Sequence, residues 1–284
     1  MASTSVQWFA VEDVGGSKGE AGIEGFRRSF GGVKVSTPTR TQLVALVRQY
    51  SERQDQLCIT FINPDYARRA FRNDDLREAI NAFDLVLVDG NGVRWLSPLF
   101  GFRVPERLDT DSLAPHLFDG LAVERAKVFL FGCAPGVAER AAGLIGAAST
   151  NVEIVGTEHG FWDIDRGHPG RFDDSDTARI IEGINASGAD LVIVSLPTPL
   201  QQTWVIKHRK AIFASVVMTG GSFLDHVADN DKWPESWYPA WANRFSLNWL
   251  YRLLHEPRRL WRRYTIEMAQ FVGCALRARF TRRH

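Results

Sequence analysis

Apolar residues in this chain gather into short runs separated by longer stretches of mixed character. LCITFI (Leu57–Ile62), LVLV (Leu85–Val88), KVFLF (Lys127–Phe131), VEIV (Val152–Val155), DLVIVS (Asp190–Ser195) and VVMT (Val216–Thr219) are rich in β-branched residues and close on Asn, Asp, Gly or Pro. Runs of that length and composition read as strands. GVKV at Gly32–Val35 reads as an earlier one, followed by a helix entered through Ser36, Thr37 and Pro38, a hydroxyl cap ahead of a proline suited to a first turn. The segments Asp65–Ala82, Gly136–Ala148 and Asp176–Ala186 carry helical spacing.

Short apolar strands alternating with amphipathic helices predict βαβ units. The expected fold is α/β and Rossmann-like: a largely parallel sheet with helices on both faces, plus a C-terminal basic amphipathic helical appendage. Ligands of such sheets bind beyond the carboxyl ends of the strands. Asn63, Asp89, Gly132, Pro197 and Thr219 each follow or close a predicted strand and are expected along that rim. Residues 1–32, interrupted by repeated glycines, read as a mobile leader, 33–244 as the core and 245–284 as the appendage. Asp225–Ala242, with three tryptophans and two prolines, reads as an aromatic loop or broken helix joining core to appendage.

With 284 residues, 45% hydrophobic and 24% charged, the chain has the composition of a soluble globular protein with one main domain. Its net charge of +1 hides an asymmetry, because residues 245–284 hold nine arginines against two glutamates, a local charge of +7. No apolar run is long enough to span a bilayer, and no secretory signal opens the chain. Cys58, Cys133 and Cys274 are odd in number and far apart, which argues against a disulfide framework or zinc site and for a reducing cytosol.

The appendage changes the picture most. In NWLYRLLHEPRRLWRRY, from Asn248 to Tyr264, Trp249, Leu250, Leu253, Leu254, Leu260 and Trp261 alternate with Arg252, Arg258, Arg259, Arg262 and Arg263. Such a helix suits an anionic membrane surface, and its guanidinium forks suit phosphate. An ordinary amphipathic helix with a solvated basic face fits the spacing equally well.

Three turns could carry chemistry. LVLVDGNGV places Asp89 at a strand exit beside Gly90 and Gly92, where a carboxylate serves as a general base, although Asp-Gly is also a common turn pair. FGCAPG puts Gly132, Pro135 and Gly136 between strand and helix, a layout that holds a diphosphate on main-chain N–H groups or simply turns the chain. In LPTPLQQTW, Pro199 precedes Gln201 and Gln202, neutral amides that read sugar hydroxyls or a uracil edge, or stand solvated on a rigid loop. GxGxxG and GxxxxGK[ST] are absent, which weakens an oxidoreductase reading; so is HExxH. A non-enzymatic membrane or polyanion adaptor, in which the basic tail is the whole function, stays open on these grounds.

Taken in order, these pieces resemble the WecG/TagA/CpsF glycosyltransferases, glycosyltransferase family 26, over about residues 33–264. The matching landmarks are Asn63, the DGxG segment at Asp89–Gly92, Arg107 in PERL, FLFGCAPGV, HGF at 159–161, LPTPLQQTW, TGGSF at 219–223 and the tail motif ending in RRLWRRY. Phe61, Pro197, Gln202 and Asn248 depart from the family's usual Thr, Gly, Glu and Glu, and PERLDTDSL lacks the usual Gly before its Asp.

The resemblance implies an inverting hexosyl transfer from a UDP-sugar to a polyprenyl-diphosphate-linked saccharide, in exopolysaccharide or other cell-surface polysaccharide synthesis. It implies no metal or other cofactor. Asp89 would be the base, with Asn63 and Gln201 shaping the pocket. Arg252, Arg259 and Arg262 would stabilise the departing diphosphate, and Gly90, Gly92, Arg107, Gly132, Pro135, Gly136, Pro199, Gln202, Thr219 and Gly220 would bind substrate. The expected setting is cytoplasmic, peripheral on the inner face of the membrane through the tail, without nucleic acid; a homo-oligomer stays open.

Overall fold

The computed structural model of the protein describes residues 20–121, 125–160, 173–230, 233–234, 239, 242, 248–255 and 257–281. The described strands form one sheet of eight, in the order β1-β2-β4-β3-β8-β7-β5-β6. These are β1 (Arg27–Phe30), β2 (Val33–Ser36), β3 (Leu57–Ile62), β4 (Leu85–Val88), β5 (Ala126–Gly132), β6 (Val152–Glu158), β7 (Leu191–Ser195) and β8 (Val216–Thr219). Every pairing is parallel except β1 with β2. The expected α/β class holds.

Side chains leave a strand alternately to opposite faces, so each apolar run feeds two cores. Leu57, Ile59, Val128, Leu130, Leu191, Ile193, Val216 and Met218 meet α2 (Arg40–Arg53), α6 (Thr110–Leu121), α7 (Val137–Ala148) and α10 (Phe223–Ala228) on one face. Cys58, Ile62, Phe129, Phe131, Val192, Val194 and Val217 meet α3 (Pro64–Ala70), α4 (Asp74–Asn81), α8 (Asp174–Ser187) and α9 (Leu200–His208) on the other.

The structure departs from the sequence expectations in several places. The last part of the expected mobile leader is ordered: α1 (Glu20–Phe26) runs into β1, which hairpins onto β2 through Gly31 and Gly32, both at positive φ (59° and 87°). A two-residue hairpin turn of this hand needs such backbone angles, and Gly-Gly supplies them. Residues 1–19 lie outside the described residues. The helix expected from Ser36–Pro38 starts later, because Thr39 caps it: its hydroxyl accepts from Gln42 N at 3.3 Å and the Gln42 side chain accepts from Thr39 N at 2.8 Å. Asp65–Ala82 is two helices, since Asn73 turns from helix interior to N-cap and accepts from Leu76 N at 2.9 Å. Of Asp225–Ala242, α10 takes the start, and most of the remainder lies outside the described residues.

The appendage divides into α11 (Asn248–His255), α12 (Pro257–Arg262), a π-helical turn (Arg263–Glu267) and α13 (Met268–Thr281). α13 is a core element. Phe271 and Ala275 are fully buried, and Phe271 sits among Phe30 (6.2 Å between ring centroids) and Phe71 (6.5 Å). Burying a phenylalanine contributes about 1.5–3 kcal/mol. The tail is therefore anchored to the edge strands that the leader completes.

Candidate active site

At the carboxyl ends of the strands lie two cavities that share a wall. The larger, about 490 Å³, is lined by residues following β3, β4, β5, β7 and β8, with α10 and the start of α6. The smaller, about 250 Å³, lies between the β4 exit and the appendage and is bounded by Pro64, Trp95, Trp249, Tyr264 and Met268. Asn63, Asp89 and Arg107 line both.

Two of these shared residues are held by backbone groups and the third by a carboxylate. Asp89 N donates to Ile62 O at 2.9 Å, tying the β4 exit to that of β3. Asn63 caps α3, its side-chain oxygen accepting from Tyr66 N at 3.1 Å, which leaves its amide NH₂ as the group to meet a ligand. Arg107 donates from Nε (2.9 Å) and Nη2 (2.7 Å) to Asp109 Oδ2. Asp109 in turn accepts from Ser112 N at 3.1 Å at the start of α6. Gly92 is fixed by close approach: a Cβ there would meet Pro64 Cγ at 2.5 Å and Met268 Cε at 3.4 Å. Only glycine lets α5 (Asn91–Leu96) pack against α3 and α13 at this distance.

Across the larger cavity, Gln201 joins two loops. Its amide donates to Thr198 Oγ1 at 3.0 Å, and its oxygen accepts from Gly221 N at 3.1 Å. Beside it, Ser195 Oγ is buried and, among the described residues, has no hydrogen-bonding partner. Because an unpaired buried hydroxyl costs free energy, this one is suited to a ligand.

Some expected residues stand elsewhere. Thr219 and Gly220 line the larger cavity, and Gly90 and Gly92 the smaller. Gly132, Pro135, Gly136, Pro199 and Gln202 line neither. Gly132 is set by packing, since a Cβ there would lie 2.2 Å from Ser195 O. Gly136 caps α7 in a left-handed conformation and Pro199 caps α9. Gln202 is fully buried behind the rim, where its amide reaches Thr60 Oγ1 at 3.4 Å, beside the Thr60–Thr219 hydroxyl pair at 2.9 Å. The hydroxyl pair ties β3 to β8, and Gln202 packs behind it with a bond to β3 alone. Arg262 is exposed and lines neither cavity, and the side chains of Arg252 and Arg259 lie outside the described residues.

Sequence reading missed a second constellation. His226 Nδ1 donates to Asp111 Oδ2 at 2.9 Å, His226 Nε2 lies 3.1 Å from Ser222 Oγ, and all three residues line the larger cavity. The only hint in the sequence was the i, i+4 spacing of Ser222 and His226. Cys133 lines the same wall; burial, followed by the nearby Asp225 carboxylate, pushes its thiol far above the ordinary range. Such a thiol is a poor nucleophile. Among the described residues, no cluster of three or more His, Cys, Asp or Glu side chains could hold a metal ion.

A parallel sheet with a carboxylate and neutral amides at its carboxyl rim, and a more apolar recess alongside, is the layout of a ligand-binding site. The chain belongs to the glycosyl transferase WecG/TagA/CpsF family, whose sequence model matches residues 28–284. It is 27% identical over 228 residues, 80% of this chain and 82% of the relative, to the N-acetylglucosaminyldiphosphoundecaprenol N-acetyl-β-D-mannosaminyltransferase of Bacillus spizizenii. It is 26% identical to the protein of the same name from Bacillus subtilis, covering 77% of this chain and 78% of that one. The Staphylococcus aureus protein of that name is 23% identical over 84% of this chain and 89% of its own length. The protein is a glycosyltransferase.

Proposed function

We propose that this enzyme moves a hexosyl unit from a UDP-sugar bound in the larger cavity to a polyprenyl-diphosphate-linked saccharide that enters through the smaller one, with inversion at the anomeric carbon. The observation that carries this reading is the position of Asp89 on the wall common to both cavities. A general base for transfer must touch the acceptor hydroxyl while that hydroxyl faces the donor sugar. The names of the relatives supply the acceptor class, an undecaprenol-diphosphate-linked N-acetylglucosamine, and an N-acetylhexosamine as the sugar moved. The product is assigned to exopolysaccharide or other surface-polysaccharide synthesis.

In this mechanism an Asp89 carboxylate oxygen takes the proton of the acceptor hydroxyl as the acceptor oxygen bonds to the anomeric carbon. The bond from that carbon to the diphosphate oxygen breaks on the opposite face, and its electron pair leaves with UDP. Arg107 at the cavity wall, with Arg252 and Arg259 from the tail, supplies positive charge to the leaving group, so the reaction runs without a divalent ion. Asn63 and Gln201 hold the reacting groups in register. The appendage sits on an anionic membrane on the cytoplasmic side, where the lipid-linked acceptor resides; among the described residues, no helix is long and apolar enough to cross a membrane.

The test is transfer from a panel of UDP-sugars to short-chain polyprenyl-diphosphate saccharides, with wild type and Asp89→Asn side by side and with EDTA in one arm. Asp89→Asn should lower turnover about a thousand-fold with the melting temperature retained, and EDTA should leave the wild type unchanged. Near-normal turnover in a folded Asp89→Asn protein would remove Asp89 as the base.

A further inference from the structure

The segment that follows Asp89 carries an exposed feature that transfer chemistry does not use. Trp95, on α5, is 62% exposed, and Leu99, in the 3₁₀ turn Ser97–Phe100, is 46% exposed. Beside Trp95, against Ser97, Pro98 and Val104, lies a notch of about 470 Å³ lined by Arg94 and Arg103. The last turns of α13 meet this knob, because Arg279 Nε donates to Leu99 O at 2.6 Å, and the adjacent Phe280 is 69% exposed. Two stretches distant in sequence thus present one apolar and cationic face, and Trp95 continues it into the wall of the smaller cavity.

We propose that this knob on the core is a membrane-contact element in its own right: Trp95 and Leu99 enter the headgroup boundary while the Arg94–Arg103 notch receives the phosphate of an anionic phospholipid. Charge selects the occupant. Residues 91–104 and 268–281 contain four arginines and no aspartate or glutamate. A two-fold contact with a second copy would set these arginines against their own images, whereas an anionic bilayer complements them. Indole and long aliphatic side chains beside guanidinium groups are the composition that settles at a bilayer interface. The knob adds a second contact beside α11, whose Trp249 lines the same smaller cavity as Trp95, and two contacts fix orientation where one allows the domain to swing. With both engaged, the mouth of the smaller cavity faces the lipid. That orientation rests on the acceptor reading above, but docking itself is measurable without any sugar donor.

The experiment uses the full chain, appendage intact, sedimented with vesicles of phosphatidylcholine alone or with phosphatidylglycerol. Trp95→Ser with Leu99→Ser should weaken partition onto phosphatidylglycerol vesicles on the order of ten-fold. Arg94→Gln with Arg103→Gln should narrow the preference for phosphatidylglycerol over phosphatidylcholine. Because all four side chains lie at the surface or on the notch wall, circular dichroism and melting temperature should match wild type. Wild-type partition in both folded double variants would mean that the tail binds alone and would overturn the proposal, as would a wild type that does not partition. A dimer by sedimentation velocity that the Trp95→Ser, Leu99→Ser variant dissociates, with vesicle binding unchanged, would assign the face to a second copy instead. Weakened partition in the Arg94→Gln, Arg103→Gln variant with transfer onto a membrane-borne acceptor undiminished would leave docking in place and count against the orientation that rests on the acceptor reading.

Discussion

The imidazole of His226 is held between Asp111, which accepts from Nδ1 at 2.9 Å, and Ser222, whose hydroxyl lies 3.1 Å from Nε2. The carboxylate fixes which nitrogen carries the proton of the neutral ring. The ring and the Ser222 hydroxyl both line the larger cavity, which the proposed function assigns to the UDP-sugar. His226→Ala is expected to lower kcat/KM about ten-fold when the UDP-sugar is varied, with little change in acceptor KM. An effect confined to acceptor KM would place the ring outside the donor site.

Gly92 sets the spacing of the smaller cavity. In Gly92→Ala the new methyl meets the Pro64 ring, which cannot swing away, and Met268, which can. The substitution should cost about 1–3 kcal/mol and lower acceptor affinity more than donor affinity. Denaturant melts together with two KM values check both, and an undisturbed melt would show that the contact relaxes freely.

Burial raises the Cys58 thiol to about 12, with Arg209 opposing and Asp84 adding to the shift, and raises Cys133 further. Both remain protonated at pH 8 and react slowly with alkylating agents. Cys274, on the docked α13, is partly exposed. Iodoacetamide at pH 8 should modify Cys274 first, with Cys58 and Cys133 following only under denaturant; early loss of Cys133 by mass spectrometry would contradict the buried placement.

The strands and their rim were legible because periodicity and run length report burial directly. Leu57–Ile62, Leu85–Val88 and Val216–Thr219 fall where their apolar runs lie, and Asp89 and Asn63 follow at the edge. Legibility failed where tertiary packing decides. Phe30 and Phe271 are distant in sequence yet fill one pocket, so neither the order of the leader's end nor the core role of α13 shows in local spacing. Gln201 and Gln202 are adjacent and chemically identical, but helical geometry turns one to the cavity and the other into the protein. In FGCAPG, which reads as a phosphate cradle, Gly132 relieves contact with the Ser195 backbone and Gly136 caps α7 at a left-handed φ.

Gln201 allows structure and electrostatics to be separated. Its oxygen accepts from Gly221 N and its NH₂ donates to the Thr198 hydroxyl, so the amide ties the β7 loop to the β8 loop. In Gln201→Glu a carboxylate still accepts from Gly221 N, and the Thr198 hydroxyl rotates to donate where it had accepted. The tie survives, but a negative charge now faces the cavity assigned to the diphosphate. Gln201→Leu removes both bonds and leaves Gly221 N unpaired, at a cost of about 1–3 kcal/mol. The Glu variant should therefore melt close to wild type yet bind the UDP-sugar at least about ten-fold more weakly, with the deficit reduced by added salt. The Leu variant should lose stability as well as turnover. Wild-type donor affinity in Gln201→Glu would move the diphosphate away from this wall and with it the assignment of the larger cavity to the donor.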